Sequence, residues 1–225
     1  GFDYRGEYYH QWGSANGQKD GNAATDADRT AHMFGVRVGK TFNNVSFKPS
    51  VTLWYDYLSG TDDEDQRNGD WSSFNTLFDT GHKFYGLQDL FLGVGGGTRT
   101  GTQGLGLQDL ALKTKINPMP GWTLKLDYHW FWTSESVSAN TTTRGFATGT
   151  VAGQEGLSND LGTELDITAV TKMNANTKVM IGYSHFDATN SFFALKNTAN
   201  VRNNTSLFPG TDDADWAYVQ FDVKF

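Results

Sequence analysis

The chain has 225 residues, a formal net charge of −7 and no cysteine; 14% of its residues are aromatic although only 37% are hydrophobic. It contains no run of about 18 apolar residues, which excludes a spanning helix. An acidic balance without basic clusters argues against nucleic acid as a partner, and the lack of thiols suits an oxidising compartment.

Alternation of apolar and polar residues at period two, the signature of a strand, recurs along the whole length. The first segment opens at once after Gly1, as expected of a processed chain or of the C-terminal part of a longer protein. It sets Phe2, Tyr4, Tyr8 and Trp12 on one face against Asp3, Arg5, Glu7 and Gln11 on the other. The second sets Phe34, Val36, Val38 and Phe42 against Arg37 and small residues, with Lys40 breaking the apolar face. The third runs from Val45 to Tyr57, with Lys48, Thr52 and Asp56 on its polar face. A fourth places Leu110, Leu112 and Ile116 against Asp109, Lys113 and Lys115. The fifth, WTLKLDYHWFW over 122–132, carries Lys125, Asp127 and His129 between bulky apolar residues. Three more surround Ile167, Ile181 and Val219, with polar faces that include Glu164, Asp166, Lys172, Lys178 and Asp222. None of the eight reads as a helix.

The connections also alternate. Short, turn-like links stand at Asn43-Asn44, at 117–121 and at 174–176, where Asn, Pro and Gly supply turn geometry. Long polar stretches fall near 14–30, 60–105, 134–160 and 188–213. Short turns at one end and long loops at the other describe an outer-membrane barrel, with both chain ends on the short-turn, periplasmic side. An extra strand near Leu87 to Val94 is an alternative that would change this parity.

A soluble sandwich alternates too, but its strands average about five or six residues. These segments approach the roughly ten that a tilted membrane strand needs. Aromatics gather at their ends (Tyr8, Trp12, Tyr55, Tyr57, Trp122, Trp130, Trp132), as in girdles at the two lipid–water interfaces. Positive and negative charges are balanced on the opposite face, which suits a wet lumen and would be costly in a dry core. The expected fold is therefore all-β, an antiparallel transmembrane barrel of about eight strands forming one domain over 1–225, with lipid and lipopolysaccharide outside.

The stretch YDYLSGTDDEDQRNGDWSSFNTLFDTGHKFYGLQDLFL over 55–92 resembles the alginate export family of bacterial outer-membrane porins. GLQDLALKTKINPMPGWTLKLDYHWF, over 106–131, is similar to that family's following hairpin, and the ending WAYVQFDVKF resembles the insertion signal of outer-membrane proteins. The resemblance implies a large barrel of about eighteen strands, of which this chain would be the C-terminal portion; a complete eight-stranded barrel would be filled by its own side chains. It also implies a porin that passes hydrophilic, anionic saccharide.

Passage of an anion needs a cationic wall. The pore-lining candidates are Arg5, Arg37, Lys48, Lys113, Lys115, Lys125, Lys172 and Lys178, with Asp127 among them. Against this stands the reading that inward charges of opposite sign only pair across strands and hold the wall together. Acidic Asp62, Asp63 and Asp65 are weak Ca²⁺ candidates, because their spacing fits no EF-hand; otherwise no metal or cofactor is expected. Phe74, Leu77, Phe78, Phe84 and Tyr85 are too apolar to stay in water and are expected to fold into the barrel mouth. Two other functions compete with a channel. One is a sleeve around a periplasmic or electron-transfer partner protein; the other is an outer-membrane hydrolase. Neighbouring Ser184 and His185 must point to opposite faces of a strand, so they form no nucleophile–base pair, and no catalytic residue is assigned.

Overall fold

The computed structural model describes residues 1–19, 22–77, 81–92, 101–102, 104–137, 157–197 and 213–224. Eight long strands form one antiparallel meander. They are β1 (Phe2–Lys19), β2 (Asn22–Thr41), β3 (Ser50–Leu58), β5 (Leu107–Ile116), β6 (Trp122–Trp132), β7 (Asp160–Lys172), β8 (Thr177–Ala188) and β9 (Asp213–Val223). They pair in that order, each with its neighbours in the chain. Among the described residues β1 and β9 do not pair with each other, so the sheet is open and both are edges.

A ninth, two-residue strand, β4 (Asp70–Trp71), lies parallel to β2 at Asp28 and Arg29. Residues 87–92, part of the alternative strand near 87–94, form turns and bends instead. Two short helices interrupt the long connections: α1 (Asp63–Asn68) and α2 (Asn190–Asn197).

Two expectations change. Much of the stretch near 14–30 is not loop: β1 and β2 continue as a hairpin to the pair Lys19↔Asn22, well past Met33↔Leu58, where β3 ends. Asp20-Gly21 stands between them in sequence, a dipeptide that favours two-residue hairpins. The third strand begins at Ser50 rather than at Val45. Phe47 and Lys48 adopt left-handed backbone angles (φ 65 and 44), and the amide of Phe42 closes the turn onto the Pro49 carbonyl at 2.9 Å. Pro49 has no N–H to extend the ladder.

Strand register carries the apolar residues into continuous rows on one face. Tyr4, Val38, Leu53, Leu112, Tyr128 and Leu165 sit side by side across six strands. Leu124, Ala169, Ile181 and Val219 continue the band on the far side. Much of this band faces outward without cover: Leu53 is 52% exposed, Ile181 51% and Val219 60%. So large an aliphatic surface is not tolerated by water but is matched by lipid. Aromatic rings border it, with Phe34 stacked on Tyr57 at 5.1 Å toward the long loops. At the short-turn end the Lys40 ammonium lies over the rings of Phe2 and Phe42, at 4.5 and 5.0 Å.

The buried core lies on the opposite, inner face near the long loops. Phe91, Phe131, Phe186 and Phe192 pack there with Leu107, Leu161 and Leu195. Ring centroids stand 4.5 Å apart for Phe91–Phe131 and 4.8 Å for Phe186–Phe192, and the rings are tilted, as aromatic quadrupoles prefer.

Candidate functional site: the inner wall

Alternation places Arg5, Glu7, Arg37, Trp54, Asp56, Asp109, Lys113, Asp127, His129, Glu164 and Asp166 on the inner face. On the loop side of this wall the charges neutralise one another. Arg37 bonds Glu7, stands 3.6 Å from Asp56 and stacks over Trp54 at 3.5 Å. Arg5 reaches the same Glu7 at 2.8 Å, although most of its side chain is exposed. Trp54 donates its indole N–H to Asp56 at 2.8 Å.

Further round the sheet, register sets like charges opposite each other: Asp56 faces Asp109, and Asp127 faces Asp166. A histidine and a lysine come between them. His129, 1% exposed, donates from Nδ1 to Asp109 at 2.8 Å, and its Nε2 accepts from Lys113 at 3.0 Å and stands 3.8 Å from Asp166. Lys113 also reaches Asp127 at 3.1 Å. One histidine and one lysine thus hold three carboxylates in a largely buried wall. The sequence shows His129 on the polar face but not this role.

The short-turn side is different. Lys115 and Lys125 are direct cross-strand partners, and so are Lys172 and Lys178. Like charges placed opposite destabilise a sheet by a few tenths of a kcal/mol or more. Only Lys178 is relieved, by Asp222 at 2.9 Å. Among the described residues Lys115, Lys125, Lys172 and Lys48 make no ion pair. Lys48 stands in the β2–β3 turn rather than on a strand, and with Lys172 and Lys178 it borders an open cavity of about 690 Å³.

The inner face also carries a second layer of chain. Residues 81–92 form a strap that touches five strands. Phe84 meets Trp54 of β3, and Phe91 meets Phe131 of β6 and Phe186 of β8. The amides of Leu87 and Gln88 donate to Glu164 Oε1 of β7 at 2.6 and 3.0 Å. Gln88 Nε2 donates to the Ala214 carbonyl of β9 at 2.9 Å, and His82 stacks on Trp216 of β9 at 4.7 Å. Just before the strap, Asn75 exchanges two hydrogen bonds with Gln11 of β1. Phe74 and Tyr85 are buried as expected, whereas Leu77 is 68% exposed and Phe78 lies outside the described residues. His82, Tyr85 and Asp89 have left-handed backbone (φ 57, 59 and 56), which costs non-glycine residues roughly 1 kcal/mol each. Between β1–β3 and this layer a cavity of about 500 Å³ is lined by Arg5, Arg37, Glu7, Phe84 and Tyr85 among others.

The acidic candidates bind protein donors. Asp62 Oδ1 caps α1 by accepting from the amides of Glu64 and Asp65, and Asp65 accepts from Ser72 Oγ at 2.7 Å. The side chain of Asp63 is outside the described residues, among which no three metal-type ligands cluster. Ser184 is buried on the inner face against Glu164, whereas His185 pairs with Asp215 on the outer face.

An antiparallel sheet with an uncovered apolar band, a charged inner wall and an inward loop layer is the wall of an outer-membrane-type β-barrel, the architecture of transport porins. The model of the alginate export family matches residues 1–208, nearly the whole chain, and the chain belongs to that family. Its porins are outer-membrane proteins that serve saccharide export, not enzymes. No curated protein matches the chain.

Proposed function

We propose that this chain forms part of an outer-membrane channel through which hydrophilic, anionic saccharides pass passively, entering past the lysines at the short-turn end. The observation that carries this reading is the pairing of Lys115 with Lys125 and of Lys172 with Lys178. A wall built only for stability would set each lysine opposite a carboxylate, as Lys113 is set opposite Asp127. Lys115, Lys125 and Lys172, which make no ion pair among the described residues, lower the energy of an anion stripped of water beside the wall.

The bore supports a barrel wider than eight strands. An eight-stranded barrel has an interior just wide enough for its own side chains. This inner face carries the strap, α2 and open cavities as well. We therefore propose that further strands complete the wall between β9 and β1, toward the roughly eighteen that the family resemblance implies.

The test is conductance of the protein expressed from its whole reading frame, in planar bilayers under a salt gradient. The expected result is an open channel with a reversal potential on the anion side and a current blocked by uronate oligomers. A cation-selective pore overturns the anionic assignment. A sealed barrel that co-purifies with a second protein overturns the channel in favour of a sleeve.

A further inference from the structure

We infer that Glu164 is a positioning residue that holds the strap 81–92 against the inner wall and so sets the bore of the channel; this rests on the channel reading above. Its carboxylate is fully buried in the middle of β7. Oε1 accepts three hydrogen bonds, from the amides of Leu87 and Gln88 and from Ser184 Oγ at 2.9 Å. Two of these three donors are backbone groups of the strap. Ser184 is itself tied to the strap, because its hydroxyl accepts from Gln88 Nε2 at 3.2 Å. The remaining oxygen of Glu164, Oε2, is buried without a partner. If the strap moved away, the carboxyl group would lose two of its three donors. The arrangement is built around holding the strap.

Two further features fit a held strap rather than one that lines the wall by its own preference. The strap passes over Glu164 at Gly86, whose φ is +84, and a Cβ there would overlap the carboxylate. Only glycine lets the backbone come this close. The flanking His82, Tyr85 and Asp89 are also left-handed, a conformation that persists only where surroundings impose it. The strained turn around Gly86 thus rests on Glu164, while Phe84 and Phe91 hold either side of it by ring contacts with the wall.

The test compares Glu164→Ala, Glu164→Gln and Gly86→Ala in the protein expressed from its whole reading frame. Unitary conductance is read in planar bilayers. Protection of a thiol placed by Ala214→Cys, where the strap's Gln88 meets only the backbone carbonyl, is read with a hydrophilic reagent, since the chain has no cysteine of its own. Glu164→Ala is expected to raise the unitary conductance and to speed modification of the thiol by at least roughly ten-fold, because two hydrogen bonds to the strap are lost. Gly86→Ala moves both readouts the same way. Glu164→Gln, whose amide oxygen still accepts from Leu87 and Gln88, stays near the parent values. If Glu164→Ala does not reach the membrane, Gly86→Ala decides alone. Parent conductance and parent protection in both alanine variants overturn the inference. A parent protein without any conductance instead sinks the channel reading, and loss of thiol protection in Glu164→Ala then still decides whether Glu164 anchors the strap.

Discussion

The two halves of the inner wall are built from the same residue types but follow opposite rules. Toward the long loops, charges are packed: Arg37 lies between Glu7, Asp56 and the Trp54 ring, and His129 lies between Asp109, Lys113 and Asp166. Toward the short turns, Lys115, Lys125 and Lys172 stand without ion pairs among the described residues. A paired charge is neutral at a distance and serves the wall. An unpaired one projects its field into the lumen, where water screens it over about one Debye length, roughly 8 Å at physiological salt. Charge count alone therefore says little about a pore; what matters is which strand neighbour each charge meets.

The largest effect is expected from His129→Ala. It leaves Asp109 buried without its Nδ1–H donor and Lys113 with one acceptor fewer, and a buried charged group left short of a hydrogen-bond partner costs about 3 kcal/mol or more. Thermal unfolding in detergent should show it as a marked fall in Tm. A small change there would mean that the loop-side half is as wet and as loosely paired as the other.

Next comes Val38→Arg, in the middle of the apolar band. If the band faces lipid, a midplane arginine costs about 2–4 kcal/mol, read as a fall in folding stability in vesicles. Free tolerance of the charge would show that water, not lipid, meets this face.

Lys125→Glu should cost no stability and gain about 0.2–1 kcal/mol, because an opposed pair of lysines becomes an opposite-charge pair with Lys115. The same change should shift the reversal potential toward cations. A stability gain without that shift would mean that the lysines do not control permeation. The smallest effect is expected from Gln11→Ala, which removes two hydrogen bonds to Asn75 and costs about 1 kcal/mol. Hydrogen exchange of the Asn75 amide should quicken while the strand amides keep their protection.

Most of the wall is legible in the amino-acid sequence. Tyr4, Val38, Leu53 and Leu112 each stand out by alternation within their own segments, and register aligns them in one row. The outer part of the β1–β2 hairpin is not legible as strand, because a stretch rich in Ala, Asn, Gly and Thr has no apolar face for alternation to reveal. Lys48 fits the alternating pattern by residue type alone; the left-handed turn that removes it from the wall is a backbone property. The aromatic content of the strap announces that it will seek cover, but not that Glu164, distant in sequence, receives its amides.

The amino-acid order by itself determined which face of each strand is apolar, which end of the sheet carries short turns, and that the inner face is charged. Those properties are local, since side-chain direction follows a period of two wherever the chain is extended. Only the tertiary structure decided that Lys115 meets Lys125, that His129 separates carboxylates, and that the strap rests on Glu164. Such contacts join residues far apart in the chain, and strand pairing sets them, which the pattern within one strand does not contain.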